Sequence, residues 1–380
     1  MKPARVIHLI GSMDLGGAQK LTRLTIEGLD RKEFAGSVCC LKSGGYYAEQ
    51  LRSKGYPVDE LLGVDKHAKN SLVLGLKTLW RLWCYLRRER PDILHTHLFM
   101  ASCLGRLLAP LTGVGRVVVT LHRVEYPGAQ HWIERFFARF TFLYVTDSHA
   151  AAKMLSSQLG VPQEKVRVIY NGIDRDEFLP PPNSQVSRQS LNIDAECLVI
   201  GIIAHLDREK GHAFLFEALA HAKPRLPKFR LLVVGDGWLR ADLQRMATEL
   251  GLAEEIQFLG QRADLARLLS AMDIFVLPSS WEGFGIILAE AMFMKVPVIT
   301  TRDGGGCAEV VEEGDGGLLV GYGDKAELGD ALVRLAQDPA LRRSLGDRGR
   351  ARVERMFTAP VMVEQYAAIY RELTQSARPL

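Results

Sequence analysis

The chain has 380 residues, 47% hydrophobic and 24% charged, so it is neither disordered nor fibrous, and its length calls for two domains of roughly 150–200 residues. Six scattered cysteines (Cys39, Cys40, Cys84, Cys103, Cys197, Cys307) form no CxxC pair, which argues against structural zinc and for a reducing compartment, and no run of 18 apolar residues could span a bilayer. The net charge of +4 is unevenly shared: residues 1–175 carry 25 Lys and Arg against 15 Asp and Glu, so the first half is expected to meet something anionic, such as a membrane surface, a phospholipid-linked substrate or nucleic acid.

The first strand, "ARVIHLI", begins almost at Met1, which leaves no room for a signal peptide, and a cytoplasmic protein is expected. "GSMDLGGAQ" and the helical pattern "KLTRLTIEGL" follow. The turn lacks G-x-G-x-x-G spacing. Gly16 and Gly17 at a helix start would let backbone amides approach a phosphate, and a plain helix-start turn uses the same residues. "GSVCCL" reads as a strand, "YYAEQLRSKG" as a helix, and Leu72 to Arg90 as a long amphipathic helix ended by Pro91. "DILHTH" and "RVVVTLHR" are strands, "HWIERFFARFTFL" a helix, "YVTDS" a strand and "HAAAKMLSSQLG" a helix. Two of these helices mix aromatics with bases: Trp80, Trp83, Arg81, Arg87, Arg88 and Arg90 on one, Trp132, Phe136, Phe137, Arg135 and Arg139 on the other. Such helices can lie in a bilayer interface, and a helix packed on its sheet gives the same pattern.

"VRVIYNGID" closes the first half, and the Pro-, Ser- and Asn-rich stretch after it reads as a linker. Asp174 and Asp176 in that stretch resemble a metal-binding pair but are read as structural. The second half restarts with the buried strand "CLVIGIIAHL", followed by "DREKG" and a helix. His205 and Lys210 fall at that strand's carboxyl end, where a lysine could neutralise a phosphate, or could be an ordinary solvated loop residue. Farther on, "DIFVLPSSWEGFGIILAEAMFMKVPVITT" reads as strand, glycine-containing loop, helix, strand, a βαβ unit whose ligands sit at the carboxyl ends of its strands. Glu282 precedes that helix and Glu290 lies inside it; they suit a polyol beside an anion, or equally a helix-start acid and a solvated side chain. Strands alternate with helices throughout, which predicts an α/β protein of two doubly wound parallel sheets, residues 1–175 and 190–357, with the last helix, about 358–380, returning to the first.

"AHLDREKG", "VVGDG", "FLGQRADLARLLSAMDIFVLPSSWEGFGIILAEAM" and "GGGCAEVVEEGDGGLLV" together resemble the donor half of family-four retaining GT-B glycosyltransferases (glycosyl transferases group 1). The likeness continues through "GGAQ", "DILHTH", "VVVTLH" and "VIYNGID", and is nearest to bacterial enzymes that build surface polysaccharides or lipid-linked glycans.

The resemblance implies two Rossmann-like domains facing across a cleft, with a nucleotide-diphosphate sugar held by the second and the acceptor by the first. A UDP-sugar is the expected donor, with a GDP-sugar as the variant. Lys210 matches the contact to the donor diphosphate, Glu282 the approach to the sugar hydroxyls and Glu290 the ribose. The amides of Phe284, Gly285 and Ile286 match the helix start that serves phosphates or sugar. Gly16 and Gly17 match the loop closing over the diphosphate, and His122 a histidine beside the transferred sugar. His95 and His97 are read as packing. The family commonly has "GRL" where this chain has Ala204-His205-Leu206, so the arginine clamp falls to His205, an imidazole only partly charged at neutral pH. Transfer with retention is implied, metal-independent and without a cofactor, because Lys210 and helix N-termini can hold the leaving diphosphate. Weak peripheral contact with an anionic membrane is expected and nucleic acid is not. A non-hydrolysing UDP-sugar epimerase and a non-catalytic sugar-nucleotide-binding partner subunit are the alternatives.

Overall fold

The computed structural model describes residues 2–62, 71–121 and 128–375. The chain divides into two compact units, Met1–Gly172 with Ala359–Leu380, and Ile173–Thr358.

In the first unit the described strands are β1 (Ala4–Ile10), β2 (Phe34–Cys40), β3 (Val58–Glu60), β4 (Ile93–His97), β5 (Val117–Leu121), β6 (Leu143–Thr146) and β7 (Val166–Val168). They form one parallel sheet in the order β3-β2-β1-β4-β5-β6-β7. The helices are α1 (Gly17–Gly28), α2 (Tyr46–Ser53), α3 (Ser71–Glu89), α4 (Phe99–Thr112), α5 (Ala129–Phe137) and α6 (His149–Leu159). Strands covered on both faces read as continuous apolar runs, as "VVVTL" of β5 does with all five residues buried.

Helix α4 was not expected from the sequence. Its segment is apolar on both sides, so no polar stripe marks a 3.6-residue period. Ala101, Ser102, Leu108 and Ala109 are buried, while Met100, Leu107 and Leu111 stay exposed.

In the second unit the strands are β8 (Leu198–Ile203), β9 (Phe229–Val234), β10 (Ile256–Gly260), β11 (Ile274–Leu277), β12 (Val298–Thr301), β13 (Glu312–Glu313) and β14 (Gly316–Val320). Their order is β10-β9-β8-β11-β12-β14-β13, again parallel. The helices are α7 (Ser184–Ser190), α8 (His212–Ala222), α9 (Arg240–Glu249), α10 (Leu265–Ala271), α11 (Ile286–Phe293), α12 (Cys307–Val310), α13 (Lys325–Gln337) and α14 (Pro339–Met356).

The stretch read as a linker carries α7, which belongs to this unit. Asn183 caps it by accepting from the Val186 amide at 3.2 Å, and Arg188 ties it to α10 and β11 through Ala271 O at 3.0 Å and Asp273 at 2.8 Å. A seven-residue polar helix gains little from propensity, so its stability comes from these tertiary contacts, which composition does not reveal.

The chain ends in α15 (Ala359–Gln375), which packs in the first unit. Its Tyr370 hydroxyl lies 2.6 Å from His95 Nδ1, and its Tyr366 hydroxyl 3.3 Å from Thr120 Oγ1, which in turn is 2.6 Å from His95 Nε2. His8 Nδ1 meets His97 Nε2 at 3.0 Å. The three imidazoles are buried and could geometrically surround an ion, but both nitrogens of His95 are already engaged by hydroxyls. The packing role expected of His95 and His97 is what the hydrogen bonds display.

Candidate active site

The order of the second sheet reverses at the β8/β11 pair, and in doubly wound sheets ligands bind outside the carboxyl ends of the strands at such a point. Two loops leave these ends side by side, 204–211 after β8 and 278–285 after β11. They are fastened to each other: the Ser280 amide donates to Glu209 O at 2.8 Å, and the Ser280 hydroxyl reaches the same oxygen at 3.3 Å. Gly211, at φ +73°, lies so close to β11 that a Cβ there would stand 2.1 Å from Pro278 O. Only glycine fits that left-handed, crowded position.

This fastening brings Lys210 and Glu282 together across 72 residues of sequence. Lys210 Nζ donates to Glu282 Oε1 at 2.7 Å, and the buried Ser279 hydroxyl donates to the same oxygen at 3.3 Å. Both partners keep about a fifth of their side-chain surface, 21% and 17%, so the ammonium is positioned yet reachable.

The backbone of Glu282 is held from the far side by a short glycine loop after β12. The Glu282 amide donates to Gly304 O at 3.0 Å, and its carbonyl accepts from the Gly306 amide at 2.9 Å. Gly305, at φ +70°, permits this bridge, because a Cβ would sit 2.5 Å from Glu282 O. The Thr301 hydroxyl donates to Ser279 O at 2.5 Å and completes the clamp. The "GGGC" stretch belongs to the family resemblance, but no role for Ser279, Thr301 or Gly304–Gly306 was legible in the sequence. The triple glycine directly after a buried strand was the signal that could have found them.

Helix α8 starts after Gly211 and α11 after Gly285, both at this edge, and no side chain caps either start or places an acid in its first turn. Each N-terminus therefore presents backbone N–H groups and roughly half a positive charge. With the Lys210 ammonium they make a site suited to an anion. Phe284 is buried edge-on against Phe357, with centroids 5.3 Å apart, so its side chain anchors the loop and leaves the backbone of Gly285 and Ile286 at the helix mouth. Glu290 lies one turn inside α11, buried among Leu288, Ala289, Ala291 and Met292. A carboxylate in such a helix is costly without a polar role, which separates it from a solvated surface acid. Beneath the loop, burial pushes the Cys307 thiol up to about 12, with the Glu282 carboxylate adding to the shift, so the sulfur stays protonated.

His205 is 62% exposed, with Nδ1 3.4 Å from Asp207 Oδ2. Arg208, beside it in sequence, lies over the Trp238 ring at 5.4 Å and lines a cavity of about 310 Å³ with Asp207, Gly211, His212 and Tyr322. Gly16 and Gly17 belong to the first unit, where Gly16 precedes α1 without a side-chain cap. A Cβ at Gly17 would meet nothing within 4 Å. His122 lies outside the described residues.

Two doubly wound parallel sheets, one carrying a cationic site at its switch point, define the class: an α/β protein built to hold an anionic ligand at strand ends. The family Glycosyl transferases group 1 matches residues 183–352, and Glycosyltransferase Family 4 matches residues 15–177. The putative glycosyltransferase EpsD of Bacillus subtilis is 30% identical over 295 residues, 73% of this chain and 76% of that protein. The UDP-Gal:alpha-D-GlcNAc-diphosphoundecaprenol alpha-1,3-galactosyltransferase of Escherichia coli is 29% identical over 343 residues, 86% of each chain. Among solved structures, Anabaena HepE in complex with UDP and glucose matches with a TM-score of 0.84 at 24% identity, over 97% of this chain and 100% of that one. The chain belongs to the family-four, group 1 glycosyltransferases and has their GT-B fold. The resemblance drawn from the sequence motifs is borne out.

Proposed function

We propose that this glycosyltransferase moves a hexosyl group from a nucleotide-diphosphate sugar, with UDP as the nucleotide, to a glycan or lipid-linked acceptor, with retention and without a metal ion. The observation that carries the reading is the Lys210–Glu282 pair at 2.7 Å, set beside two uncapped helix starts at the switch point. The activity named for the Escherichia coli relative and the UDP in the Anabaena structure support the donor and acceptor classes.

Breaking the anomeric bond leaves negative charge on the diphosphate and positive charge on the sugar. Lys210 holds the first, assisted by the amides of Gly285 and Ile286, and fixed charge of this kind lowers the barrier without reorganisation. Glu282 shares its oxygen with Lys210 and faces the sugar hydroxyls, while Glu290 takes the ribose. His205 supplements the phosphate contact in place of arginine. Retention follows if the acceptor enters on the face the diphosphate leaves. The family resemblance gives Gly16, Gly17 and His122 of the first unit their parts in the same reaction.

The test is UDP release from a panel of nucleotide sugars, with and without an undecaprenyl-diphosphate-linked acceptor, in buffer containing EDTA. Acceptor-dependent release with an α-linked product from an α-linked donor is expected. Free sugar epimers without an acceptor would mark an epimerase. Donor binding without turnover would mark a partner subunit.

A further inference from the structure

The loop that carries Lys210 has two sides. From β8 the sheet steps to β9 and β10 in one direction, and from β11 to β12 in the other. Right-handed crossovers therefore put α8 and α9 on one face of the second sheet and α11, with Glu290, on the opposite face. The cavity of about 310 Å³ lies on the α8 and α9 side, lined by the first turn of α8, by Leu243 and Met246 of α9, and by Tyr322 after β14. Its size is at the small end of ligand pockets, which run from about 300 to 1,000 Å³.

The lining includes a buried polar group that the fold does not satisfy. His212, the first residue of α8, is 1% exposed, and neither of its ring nitrogens has a hydrogen-bond partner among the described residues. Burial lowers the imidazole to about 4, so at neutral pH it offers one N–H donor and one acceptor nitrogen. Leaving both unmade is costly, and a ligand that donates and accepts at once removes that cost.

The charge of the lining restricts the ligand further. Asp207 and Asp242 face one guanidinium, Arg208, and the uncapped start of α8, which offers roughly half a positive charge. The wall is thus close to electrical balance and selects neither a cation nor an anion. Both carboxylates already accept, Asp207 from the Lys210 amide at 3.2 Å and Asp242 from Arg245 at 2.6 Å. A carboxylate has about four acceptor sites, so each can take hydroxyl donors as well. The rest of the wall is apolar or aromatic. Tyr322, 46% exposed, meets the Phe214 ring edge-on with centroids 5.5 Å apart, and the exposed Trp238 beside Leu239 lies under Arg208. A neutral, hydroxyl-rich ligand with one apolar face fits these features together. Hydroxyls donate and accept, as His212 requires, and the C–H face of a pyranose packs on an aromatic ring.

We propose that this cavity binds a neutral pyranose unit, free or at the end of a glycan, on the face of the second sheet opposite α11. His212 and Asp242 hold its hydroxyls, and Tyr322 packs against its ring. The inference goes beyond the transfer reaction and does not depend on it, because sugar binding and UDP release are read separately.

The experiment is saturation-transfer NMR and titration with the methyl glycosides of glucose, galactose and N-acetylglucosamine and with maltotriose. Cadaverine and benzoate serve as the cationic and anionic probes. Sugar binding is expected, with the strongest contacts on one C–H face, and the charged probes should give no signal. Tighter binding of maltotriose than of methyl glucoside supports a glycan end, and equal binding supports a free sugar. Asp242→Ala and Tyr322→Ala, both at exposed positions, should each weaken binding about threefold to tenfold, while UDP affinity stays at the wild-type value. His212→Phe should weaken it about tenfold, and Met246→Trp should fill the cavity and abolish it. Unchanged sugar binding in both surface variants overturns the proposal even if the two buried variants fold poorly. Binding lost in Glu282→Gln but kept in Met246→Trp places the sugar at the donor site and overturns it too. So does the absence of any sugar signal, or a preference for cadaverine or benzoate over every sugar.

Discussion

Replacing Lys210 by alanine tests the core of the site because its effect on the diphosphate separates from its effect on the sugar. A unit charge about 4 Å from a phosphate contributes about 4 kcal/mol at an effective dielectric near 20. Lys210 is 21% exposed, so salt and solvent screen part of this, and about 2–4 kcal/mol remains. Lys210→Ala should therefore weaken UDP binding by roughly thirtyfold to several hundredfold. Its partner makes the prediction sharper. With the ammonium gone, the Glu282 carboxylate, 2.7 Å from it in the native pair, is left unneutralised beside the phosphates and repels them. Adding Glu282→Gln should then restore about tenfold of the lost affinity, although the same change removes the sugar contact and depresses turnover. Titration calorimetry with UDP on the four proteins of the cycle measures this. Wild-type affinity in Lys210→Ala would remove the lysine from the phosphates, and strict additivity would show that the pair does not act as a unit.

Glu290→Ala should reduce transfer at least hundredfold with the fold intact, checked by turnover and melting temperature. Gly211→Ala forces a Cβ to within 2.1 Å of Pro278 O at φ +73° and should destabilise the second unit by about 2–4 kcal/mol in urea denaturation. Glu134→Ala should cost about 3–5 kcal/mol, because Glu134 holds the fully buried Arg106 and would leave that charge unpaired, whereas Arg106→Met with Glu134→Leu should come close to wild type. Burial lowers His8 to about 3 and His212 to about 4, below the ordinary 6.5. The unfolded chain then binds more protons between pH 6.5 and 4, so stability is full above pH 6.5 and falls by about 2 kcal/mol for each histidine by pH 5. Denaturation at pH 7.5 and 5 measures the loss, and His8→Gln should remove the share from the first unit.

The parts of the site that the sequence disclosed are those held within one strand-loop-helix segment. Glu282 and Glu290 share a βαβ unit with a buried strand on either side, and Lys210 follows its own strand by a few residues, so alternation and spacing locate them at carboxyl ends. What the sequence hid is whatever depends on two segments meeting. Nothing local to Ser280 predicts its bond to Glu209, and Gly211 looks like an ordinary helix-start glycine until Pro278 is found against it. The same holds for α7, whose polar residues read as linker because Arg188 and Asp273 are 85 positions apart.

An arginine-lined cavity in the first unit, with Arg87, Arg90, Arg116 and Arg139 in its wall, is an extreme case of that limit. Its charges come from the ends of α3 and α4, a turn before β6 and the starts of two strands, and each, alone, reads as a helix-terminal base. The surplus of ten basic residues in the first 175 announces an anionic partner without locating it. The fold supplies the location by alternating strands and helices, which sends the amino ends of β4, β5 and β6 and the carboxyl ends of α3 and α4 to one edge. Bases favoured at helix ends by the macrodipole are thereby gathered into one patch. Uneven charge in the sequence thus becomes a localised surface only through topology. The same topology places this surface and the carboxyl-end loops of the first unit on opposite edges of one sheet, so the arginine cluster can be substituted without touching Gly16 or Gly17.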